Sequence, residues 1–234
     1  MRLDAEPAVV ANPSRASEDL VLVAPFDGIG GAMRALELLG IKPALYVSLE
    51  TDIECSAVVR AAWPQVIAFG DVSEFSEDDL KKVLATVPGL KRGIVVGGPP
   101  CQPFTGVNPQ RKGFADPKGG CIQMFVDLVE MCRRAGPRIK WDALMENVAS
   151  MTARDRITMT DLVNQAYRST PYRLDANILG PVSRPRYYWT SFAFTAPEFA
   201  SEDTGKNYKA VKRLDEWVPE AAGFLDQGVK KCGD

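Results

Sequence analysis

The segment Gly97–Phe104 constrains the fold more than any other part of the chain. It reads Gly-Gly-Pro-Pro-Cys-Gln-Pro-Phe and directly follows an apolar, β-branched run at Gly93–Val96, which predicts a buried parallel strand. Neither a helix nor a sheet continues through two glycines and two prolines, so the chain must turn sharply there. The sequence therefore places Cys101 on a stiff loop at the carboxyl end of a strand, where open α/β sheets build their sites. We interpret Cys101 as a nucleophile; the alternative is a small buried hydrophobe, as most free cysteines are.

Segments with strand and helix character alternate along the chain. The predicted strands fall at 20–24, 44–49, 66–69, 93–96 and 141–145, and the predicted helices at 32–39, 53–62, 77–85, 121–134 and 156–168. Two further strands, at 173–179 and 187–194, have the pattern of an antiparallel pair. This order predicts an α/β fold of the Rossmann-like type, with a mostly parallel seven-stranded sheet, an antiparallel hairpin and helices on both faces.

The pattern also divides the chain into three parts. Residues 1–19 are small and polar, and we expect a flexible N-terminal tail there. Residues 20–195 carry the alternating pattern and form the predicted catalytic domain. Residues 196–234 are mixed and poorly periodic, and are interpreted as a C-terminal extension.

The composition excludes several kinds of site. The 234 residues contain no histidine, which removes Ser-His-Asp and Cys-His catalysis and histidine-ligated metals. Five cysteines without a Cys-x-x-Cys pair argue against a zinc site or a disulfide framework, so we expect no metal and an intracellular location. No apolar run approaches the roughly 20 residues of a membrane span, so we expect no membrane partner. The formal net charge of −2 means that any surface for nucleic acid must be a local patch.

Distinctive residues follow the first three predicted strands. The turn Asp27–Gly31 is glycine-rich and leads into a helix, so a ligand can approach its backbone; a plain strand-to-helix connection is the alternative. Glu50 ends the second strand, where such folds place a carboxylate that binds ribose hydroxyls, although a solvated acid would look the same. Asp71 ends the third strand, where it could accept from an adenine amino group or cap a turn. Together these residues favour a nucleoside ligand.

A second set of charged residues follows the cysteine loop. Glu146 ends an apolar strand beside the strand of Cys101, so burial should raise the pKa of its carboxyl and suit it to donate a proton. Capping of the following helix is the alternative. Arg184 and Arg186 alternate on the last hairpin and should point the same way. Such pairs are also common on solvated strands.

The order of these motifs resembles that of the cytosine C5-methyltransferases. The resemblance covers about residues 20–195 and rests on the segments Phe26–Gly31, Glu50, Gly70–Val72, Pro99–Gln102, Glu146–Val148 and Arg184–Arg186. Val107–Gly113 and Arg186–Trp189 are most similar to the animal de novo DNA methyltransferases. Pro99–Thr105 is also similar to the branch that methylates tRNA-aspartate, so the motifs leave both DNA and RNA open as partners.

The resemblance implies S-adenosylmethionine as cofactor and a flipped-out cytosine as substrate. Cys101 would add to C6 of the base, Glu146 would protonate N3, and Arg184 and Arg186 would hold the base carbonyl and favour the thiolate. The implied cofactor residues lie at the strand ends: Phe26, Asp27, Gly28, Ile29, Gly30, Gly31, Glu50, Thr51, Asp71, Val72 and Pro100. The implied contacts with nucleic acid are Gln102, Val107, Asn108, Arg111, Lys112 and Asn147.

The chain also departs from the family pattern. Pro185 between the two arginines is unusual, and Cys121 stands where the de novo enzymes have an apolar residue over the adenine. Family members continue with a target-recognition region and a segment that closes the cofactor pocket; residues 196–234 resemble at most the start of a truncated recognition region. We therefore weigh a DNA cytosine-C5 methyltransferase against a weak or inactive module that binds nucleic acid or a partner methyltransferase, and against a tRNA methyltransferase. A partner chain or a second copy could complete the site. The expected location is the nucleus in a eukaryote and the cytoplasm in a bacterium or phage.

Overall fold

The computed structural model describes residues 15–178 and 182–192 as one α/β layer structure. The strands are β1 (Arg15–Pro25), β2 (Ile41–Leu49), β3 (Ile67–Phe69), β4 (Arg92–Gly97), β5 (Lys140–Val148), β6 (Tyr172–Asp175) and β7 (Pro185–Thr190). The α-helices are α1 (Gly31–Leu38), α2 (Ile53–Ala62), α3 (Glu77–Ala85), α4 (Cys121–Ala135) and α5 (Ala153–Ala166).

The sheet has seven strands in the order β3-β2-β1-β4-β5-β7-β6. The first five strands pair in parallel, and β7 is antiparallel to both β5 and β6. The predicted fold class is thereby confirmed. Because parallel strands end at one edge, the segments that follow β1, β2, β3 and β4 meet there.

Helices cover the two faces of the sheet unequally. On one face, α3, α4 and α5 enclose a large core that includes Phe125, Met145 and Trp189, all fully buried. On the other face, α1 and α2 pack over β1 and β2 through Met33 and Val59. Among the described helices, none combines the length and apolar character needed to cross a lipid bilayer.

Capping by nearby side chains sets the starts of the helices. It explains why the starts of α2 and α3 were predicted accurately. Asp52 accepts from the backbone N–H groups of Glu54 and Cys55 at the start of α2. Ser76 and Asp79 form a reciprocal capping box at the start of α3. Helix α5 begins three residues earlier than predicted, because the side chain of Thr152 caps it.

Several strands extend beyond their predicted bounds, and for β1 and β5 the extension changes how a predicted feature is placed. Strand β1 begins at Arg15 instead of residue 20, so residues 15–19 belong to the sheet and not to a tail. Strand β5 continues through Glu146 to Val148, so Glu146 lies within the strand and does not end it. In both cases pairing with a neighbouring strand extends the element past the apolar run. Residues 1–14, the predicted extension at 196–234 and the ends of the last two predicted strands lie outside the described residues.

Candidate active site

The glycine-rich turn between β1 and α1 is built around Trp63. Phe26 has a φ of 54° and Gly30 a φ of 83°, so both adopt the left-handed conformation. A Cβ atom at Gly30 would lie 2.2 Å from Cζ3 of Trp63, so only glycine fits there. The indole N–H of Trp63 donates to Oε1 of Glu37 over 2.7 Å. The turn is therefore a fixed surface, with Ile29 63% exposed on it.

Glu50 ties the end of β2 to this turn. Its Oε2 accepts from the backbone N–H of Gly28 over 2.7 Å, and its Oε1 accepts from the backbone N–H of Asp52 over 2.9 Å. The carboxylate is thus held in one orientation beside the exposed Thr51. Each oxygen keeps further acceptor capacity, so the predicted contact with ribose hydroxyls is compatible with these bonds.

Asp27 has one oxygen with partners and one without. Its Oδ2 accepts from the hydroxyls of Tyr46 and of Ser48, the latter over 2.6 Å. Its Oδ1 is buried and has no hydrogen-bond partner among the described residues. Burial raises the pKa of the Asp27 carboxyl, the two hydroxyl donors oppose this, and the charge of Glu50 adds to it. The sequence predicted Asp27 as a cofactor residue but did not predict its two hydroxyl donors. Both donors lie on β2, and their closeness to Asp27 follows only once the pairing of β2 with β1 is known.

Asp71 serves as a cap at the end of β3. Its Oδ1 accepts from both the backbone N–H and the hydroxyl of Ser73, each over 2.8 Å. These bonds lower the pKa of Asp71, so it is an anion at neutral pH. The capping alternative is therefore observed, while Oδ2 leaves the predicted contact with an adenine amino group open.

A cavity of about 280 Å³ lies over the ends of the first three strands. Six of the predicted cofactor residues line it: Phe26, Glu50, Thr51, Asp71, Val72 and Pro100. Leu49, Gly70, Lys118, Cys121 and Met124 complete the wall. Sequence reasoning placed Cys121 near the ligand but did not predict Lys118 or Met124, which reach this wall from the segment around the start of α4.

A second cavity, of about 510 Å³, shares Phe26 with the first. It extends from the glycine turn across β4 and β5 to the last hairpin. The predicted residues that line it are Phe26, Asp27, Gly31, Glu146, Arg184 and Arg186. Tyr188 and Leu144 belong to the same wall and were not predicted. The structure thus brings three of the four predicted catalytic residues to a cavity that adjoins the predicted cofactor site.

Glu146 and Arg186 form an ion pair in the second cavity. Oε1 of Glu146 lies 2.5 Å from Nε of Arg186, with side chains 30% and 16% exposed respectively. Burial raises the pKa of Glu146, and the charges of Arg186 and Arg184 only partly oppose this. A Cβ atom at Gly98 would lie 2.9 Å from Oε2 of Glu146. The glycine therefore lets the cysteine loop pass directly beside the carboxyl.

Asn147 on β5 holds the cysteine loop in place through its side chain. Its side chain is 1% exposed; Nδ2 donates to the carbonyl of Pro99 over 3.1 Å, and Oδ1 accepts from the backbone N–H of Val148 over 2.9 Å. A buried amide with both ends bonded inside the protein does not reach a nucleic acid. The predicted contact is therefore corrected: Asn147 positions the loop that carries Cys101.

Cys101 lies on a compact turn with its side chain half-buried against the core. Its carbonyl accepts from the backbone N–H groups of Phe104 and Thr105, both over 2.9 Å. The ring of Phe104 is fully buried and packs against Phe114 with centroids 5.0 Å apart. The loop is thus fixed on both sides of the thiol. Cys101 is not among the residues that line either cavity, so its approach to a substrate remains a prediction.

The segment after Cys101 presents part of the predicted nucleic-acid surface. Gln102 and Lys112 are exposed, and Val107 is 89% exposed. Arg111 is half-buried and donates to the carbonyl of Ser150 over 3.3 Å. Asn108 shapes the turn; its Nδ2 donates to the carbonyl of Gln102, and its Oδ1 accepts from the backbone of Gln110. In the described part of the chain, no cluster of three or more acidic or cysteine residues could hold a metal ion.

Comparison with known families identifies the family of this chain. The model of the C-5 cytosine-specific DNA methylases matches residues 23–203, which is most of the chain. The chain belongs to this family. Among its relatives, the orphan methyltransferase M.SPRI of Bacillus phage SPR is 28% identical over 172 residues, which cover 70% of this chain and 35% of the relative. The type II methyltransferase M.AquIA of Picosynechococcus sp. is 31% identical over 131 residues, covering 56% of this chain and 49% of the relative.

Solved structures with a similar fold come from chains that are longer than this one. The S. pombe Dnmt2 methyltransferase aligns with a TM-score of 0.53 and 18% identity over 87% of this chain and 59% of its own. The Spodoptera frugiperda DNMT2 E260A/E261A/K263A mutant aligns with a TM-score of 0.51 and 19% identity over 83% of this chain and 54% of its own. This methylase thus spans between a third and a half of the curated relatives described above.

Proposed function

We propose that this methylase transfers a methyl group from S-adenosylmethionine to C5 of a cytosine in DNA. The observation that carries the proposal is the half-buried Glu146–Arg186 pair in the cavity beside the cysteine loop. Membership of the family implies a DNA substrate and a methyl donor of this type. A DNA substrate also supports the expected intracellular location.

The residues around the two cavities fit this cofactor. The cavity over the first three strands has the two acidic side chains, Glu50 and Asp71, that suit ribose hydroxyls and an adenine amino group. The buried, unpartnered Oδ1 of Asp27 in the adjoining cavity calls for a donor that the ligand would supply. When bound, the cofactor supplies an electrophilic methyl group. Ile29, Gly30 and Gly31 provide the turn on which its amino-acid part would lie.

The chemistry on the base follows from the types of residue in the second cavity. The cytosine must leave the duplex, because its ring atoms are inaccessible in the stack. The Cys101 sulfur forms a bond to C6 while Glu146 gives a proton to N3, which places electron density on C5 for bonding to the methyl group. The methyl group would leave S-adenosylhomocysteine behind as its bond to the sulfonium sulfur breaks. Loss of the C5 proton, return of the N3 proton to Glu146 and cleavage of the bond between the Cys101 sulfur and C6 would then restore the aromatic cytosine. Arg186, with Arg184, holds the base carbonyl and balances the charge of the thiolate.

The exposed part of the loop after Cys101 is the proposed contact with nucleic acid. Lys112 and Arg111 would meet backbone phosphates, while Gln102, Val107 and Asn108 would face the space left by the flipped base. These local cations would supply the attraction to DNA that the net charge of −2 does not provide.

Covalent trapping tests this function. A DNA duplex carrying 5-fluorocytosine and S-adenosylmethionine are mixed with the protein, since fluorine at C5 blocks the final release. We expect an adduct that survives denaturing electrophoresis and is absent in Cys101→Ser, with Cys55→Ser as the matched control. A folded protein that binds DNA but forms no adduct would contradict catalysis and support the binding-module alternative.

Two further arms of the experiment address substrate and assembly. An RNA duplex or hairpin of matched sequence replaces the DNA; an adduct with RNA alone would overturn the DNA assignment. Light scattering during chromatography, with and without DNA, measures the mass of the complex. We expect a second copy in the complex if another chain of this protein completes the site.

A further inference from the structure

The segment that follows the cysteine loop is bonded to the turn after β5. The backbone N–H of Gly106 donates to Oγ of Ser150 over 2.9 Å, and Nη1 of Arg111 donates to the carbonyl oxygen of Ser150 over 3.3 Å. Ser150 is exposed and lies four residues after Glu146, just beyond the end of β5. One residue therefore joins both ends of the stretch 106–111 to the strand that carries the proposed acid.

The three residues of this contact approach one another closely. A Cβ atom at Gly106 would lie 3.2 Å from Nη1 of Arg111, 3.3 Å from Cβ of Ser150 and 3.4 Å from the Ser150 carbonyl oxygen. Glycine thus lets the backbone of the stretch come near enough to donate to the Ser150 hydroxyl. We call Gly106, Arg111 and Ser150 the Ser150 cluster.

Hydrogen bonds within the stretch make it a single unit. The backbone N–H of Asn108 donates to the carbonyl of Thr105 over 3.1 Å, and that of Arg111 donates to the carbonyl of Asn108 over 3.2 Å. Nδ2 of Asn108 also donates to the carbonyl of Gln102 over 3.2 Å. Val107 lies between these bonds with its side chain 89% exposed. The Ser150 cluster therefore fixes the position of the whole stretch, and with it the position of Val107.

A fixed, exposed aliphatic side chain suits contact with a distorted duplex. Proteins that unstack DNA insert apolar side chains between its bases. A side chain that is already in position loses less freedom when the complex forms, so less of the binding free energy is spent on ordering it. The bonds to Ser150 supply this preorganisation in the free protein.

We propose that Ser150 is a positioning residue for base flipping, because it holds Val107 through the Ser150 cluster at the space that the target base leaves. This inference rests on the proposed function, which supplies the duplex and the flipped cytosine. Ser150 acts only through Gly106 and Arg111 and needs no contact with the base. A guanidinium has several N–H donors, so Arg111 can keep its bond to Ser150 and still meet a phosphate.

Trapping on paired and unpaired cytosines separates this role from general support of Cys101. The probe is the 5-fluorocytosine duplex that forms the wild-type adduct, prepared in two versions. One version pairs the target base with guanine, and the other places an abasic position opposite it, since an unpaired base leaves the stack at lower cost. Single-turnover trapping with S-adenosylmethionine at saturating protein measures the rate on each version. Circular dichroism establishes that each variant is folded.

Ser150→Ala should slow trapping about tenfold or more on the paired duplex and less than about threefold on the unpaired one, because small displacements of positioned groups reduce rates strongly. Ser150→Thr keeps a hydroxyl that can accept from Gly106 and should restore the paired rate to within about twofold of the wild type. The matched control is Ser169→Ala, which removes a hydroxyl that accepts from the backbone N–H of Thr190 over 2.9 Å. It should change neither rate.

Two variants test the other members of the Ser150 cluster. Gly106→Ala keeps the Ser150 hydroxyl but places a methyl group 3.2 Å from Nη1 of Arg111, so it should also slow the paired duplex more than the unpaired one. Arg111→Lys keeps the charge but loses the planar guanidinium. It should slow trapping on the paired duplex while leaving the salt dependence of DNA binding unchanged.

The possible outcomes distinguish failure of this inference from failure of the proposed function. Equal slowing of both duplexes by Ser150→Ala would mean that the cluster supports Cys101 and not flipping, and unchanged rates on both would mean that it is dispensable. Either result overturns the inference while leaving the methyl transfer intact. A folded wild-type protein that traps neither duplex would instead refute the proposed function.

Discussion

Opposing effects set the protonation of Glu146. Burial raises the pKa of its carboxyl, and the guanidinium groups of Arg186 and Arg184 lower it; burial is the largest of these effects. A carboxyl whose pKa is raised toward neutrality keeps a proton to give at a higher pH than an exposed one. The ion pair with Arg186 also fixes the direction in which that proton is offered. These properties follow from the position of Glu146 inside β5.

Removal of the Glu146 proton donor should abolish most methyl transfer. We expect Glu146→Gln to reduce the single-turnover rate by about 10²- to 10⁴-fold, the usual contribution of general acid catalysis. Glu130→Gln is the matched control, since Glu130 also pairs with an arginine, Arg133, at 2.5 Å, but on α4. In the wild type the rate should fall as pH rises through the raised pKa of Glu146, because the protonated form is then lost. A variant with near-normal rates would refute this role.

Asp27→Asn should stabilise the ligand-free protein near neutral pH. Because folding raises the pKa of Asp27, the folded state disfavours its ionised form, so wild-type stability decreases as pH rises from the ordinary aspartate value through the raised one. Asparagine avoids this loss while still accepting from Tyr46 and Ser48. We expect a Tm increase of about 2–4 °C at pH 7 that vanishes near pH 4, measured by circular dichroism. A lower Tm at pH 7 would contradict the raised pKa.

At the scale of elements, β5 and the cysteine loop act as one unit. Asn147 on β5 donates to the carbonyl of Pro99, and Gly98 passes so close to Glu146 that an added Cβ atom would lie 2.9 Å from its Oε2. The strand thus carries the acid on one face and the anchor of the nucleophile loop on the other, since successive side chains alternate. Disturbing either contact should therefore slow catalysis.

Asn147→Ala should loosen the cysteine loop. It removes the bond to the Pro99 carbonyl and leaves the backbone N–H of Val148 without its acceptor, which costs about 1–3 kcal/mol of folding free energy. We expect this loss in urea denaturation, together with slower trapping of the Cys101 adduct. Asn164→Ala, which removes a side-chain acceptor for the backbone of Ser169, is the control and should leave trapping unchanged.

Gly98→Ala should separate the acid from the loop. The added Cβ would lie 2.9 Å from Oε2 of Glu146, so the carboxyl or the loop must shift by several tenths of an ångström. Displacements of this size reduce catalytic rates strongly, and we expect a loss of about tenfold or more with little change in Tm. In the control Gly120→Ala, the added methyl group meets nothing within 4 Å, so both quantities should match the wild type.

The predicted bounds were accurate for elements that are set by residues close to them in the chain, and inaccurate for elements that depend on distant residues. Helices α2 and α3 have their predicted bounds because Asp52 and Ser76 cap them within a few residues. The start of β1 at Arg15 was missed, since residues 15–19 are too polar to signal a strand and residues 15–17 join the sheet through backbone pairing with β2. The burial of Asn147 was missed for a similar reason. It depends on the cysteine loop, where the side chain of Asn147 bonds the carbonyl of Pro99, 48 residues earlier in the chain.

The sequence indicated which side chains lie together at this edge of the sheet, but not their hydrogen-bond partners. Strand ends could be assigned to one edge of the sheet, which brought Asp27, Glu50, Asp71 and Glu146 to adjoining cavities. Bonds between side chains on different strands need the register, so the hydroxyls that hold Asp27 could not be derived from the chain alone.

At the scale of the whole molecule, the proposed nucleic-acid face depends on a few local cations. The net charge of −2 disfavours general attraction to DNA, whereas Arg111, Lys112 and Arg184 stand around the loop and the second cavity. Affinity for DNA should therefore come from few phosphate contacts and respond clearly to their removal.

Lys112→Ala should weaken DNA binding without altering sequence preference. We expect the slope of log affinity against log salt to become shallower by about one, as for the loss of one phosphate contact. Lys140→Ala removes an exposed lysine at the opposite end of β5 and should leave the slope unchanged. Fluorescence anisotropy with labelled duplexes at several salt concentrations measures both. An equal effect of the two variants would indicate attraction by overall charge instead of a defined face.

The packing of Trp63 under the glycine turn gives this methylase a built-in optical probe. Its indole is 7% exposed, lies against Gly30 and bonds Glu37, whereas Trp141 and Trp189 belong to the core on the other face of the sheet. Any ligand that binds on the turn alters the electric field at the Trp63 indole, while Trp141 and Trp189 remain shielded; the fourth tryptophan, Trp217, lies outside the described residues and is replaced by phenylalanine for this measurement. The emission of Trp63 would then report the arrival of the ligand directly, in real time and without a label.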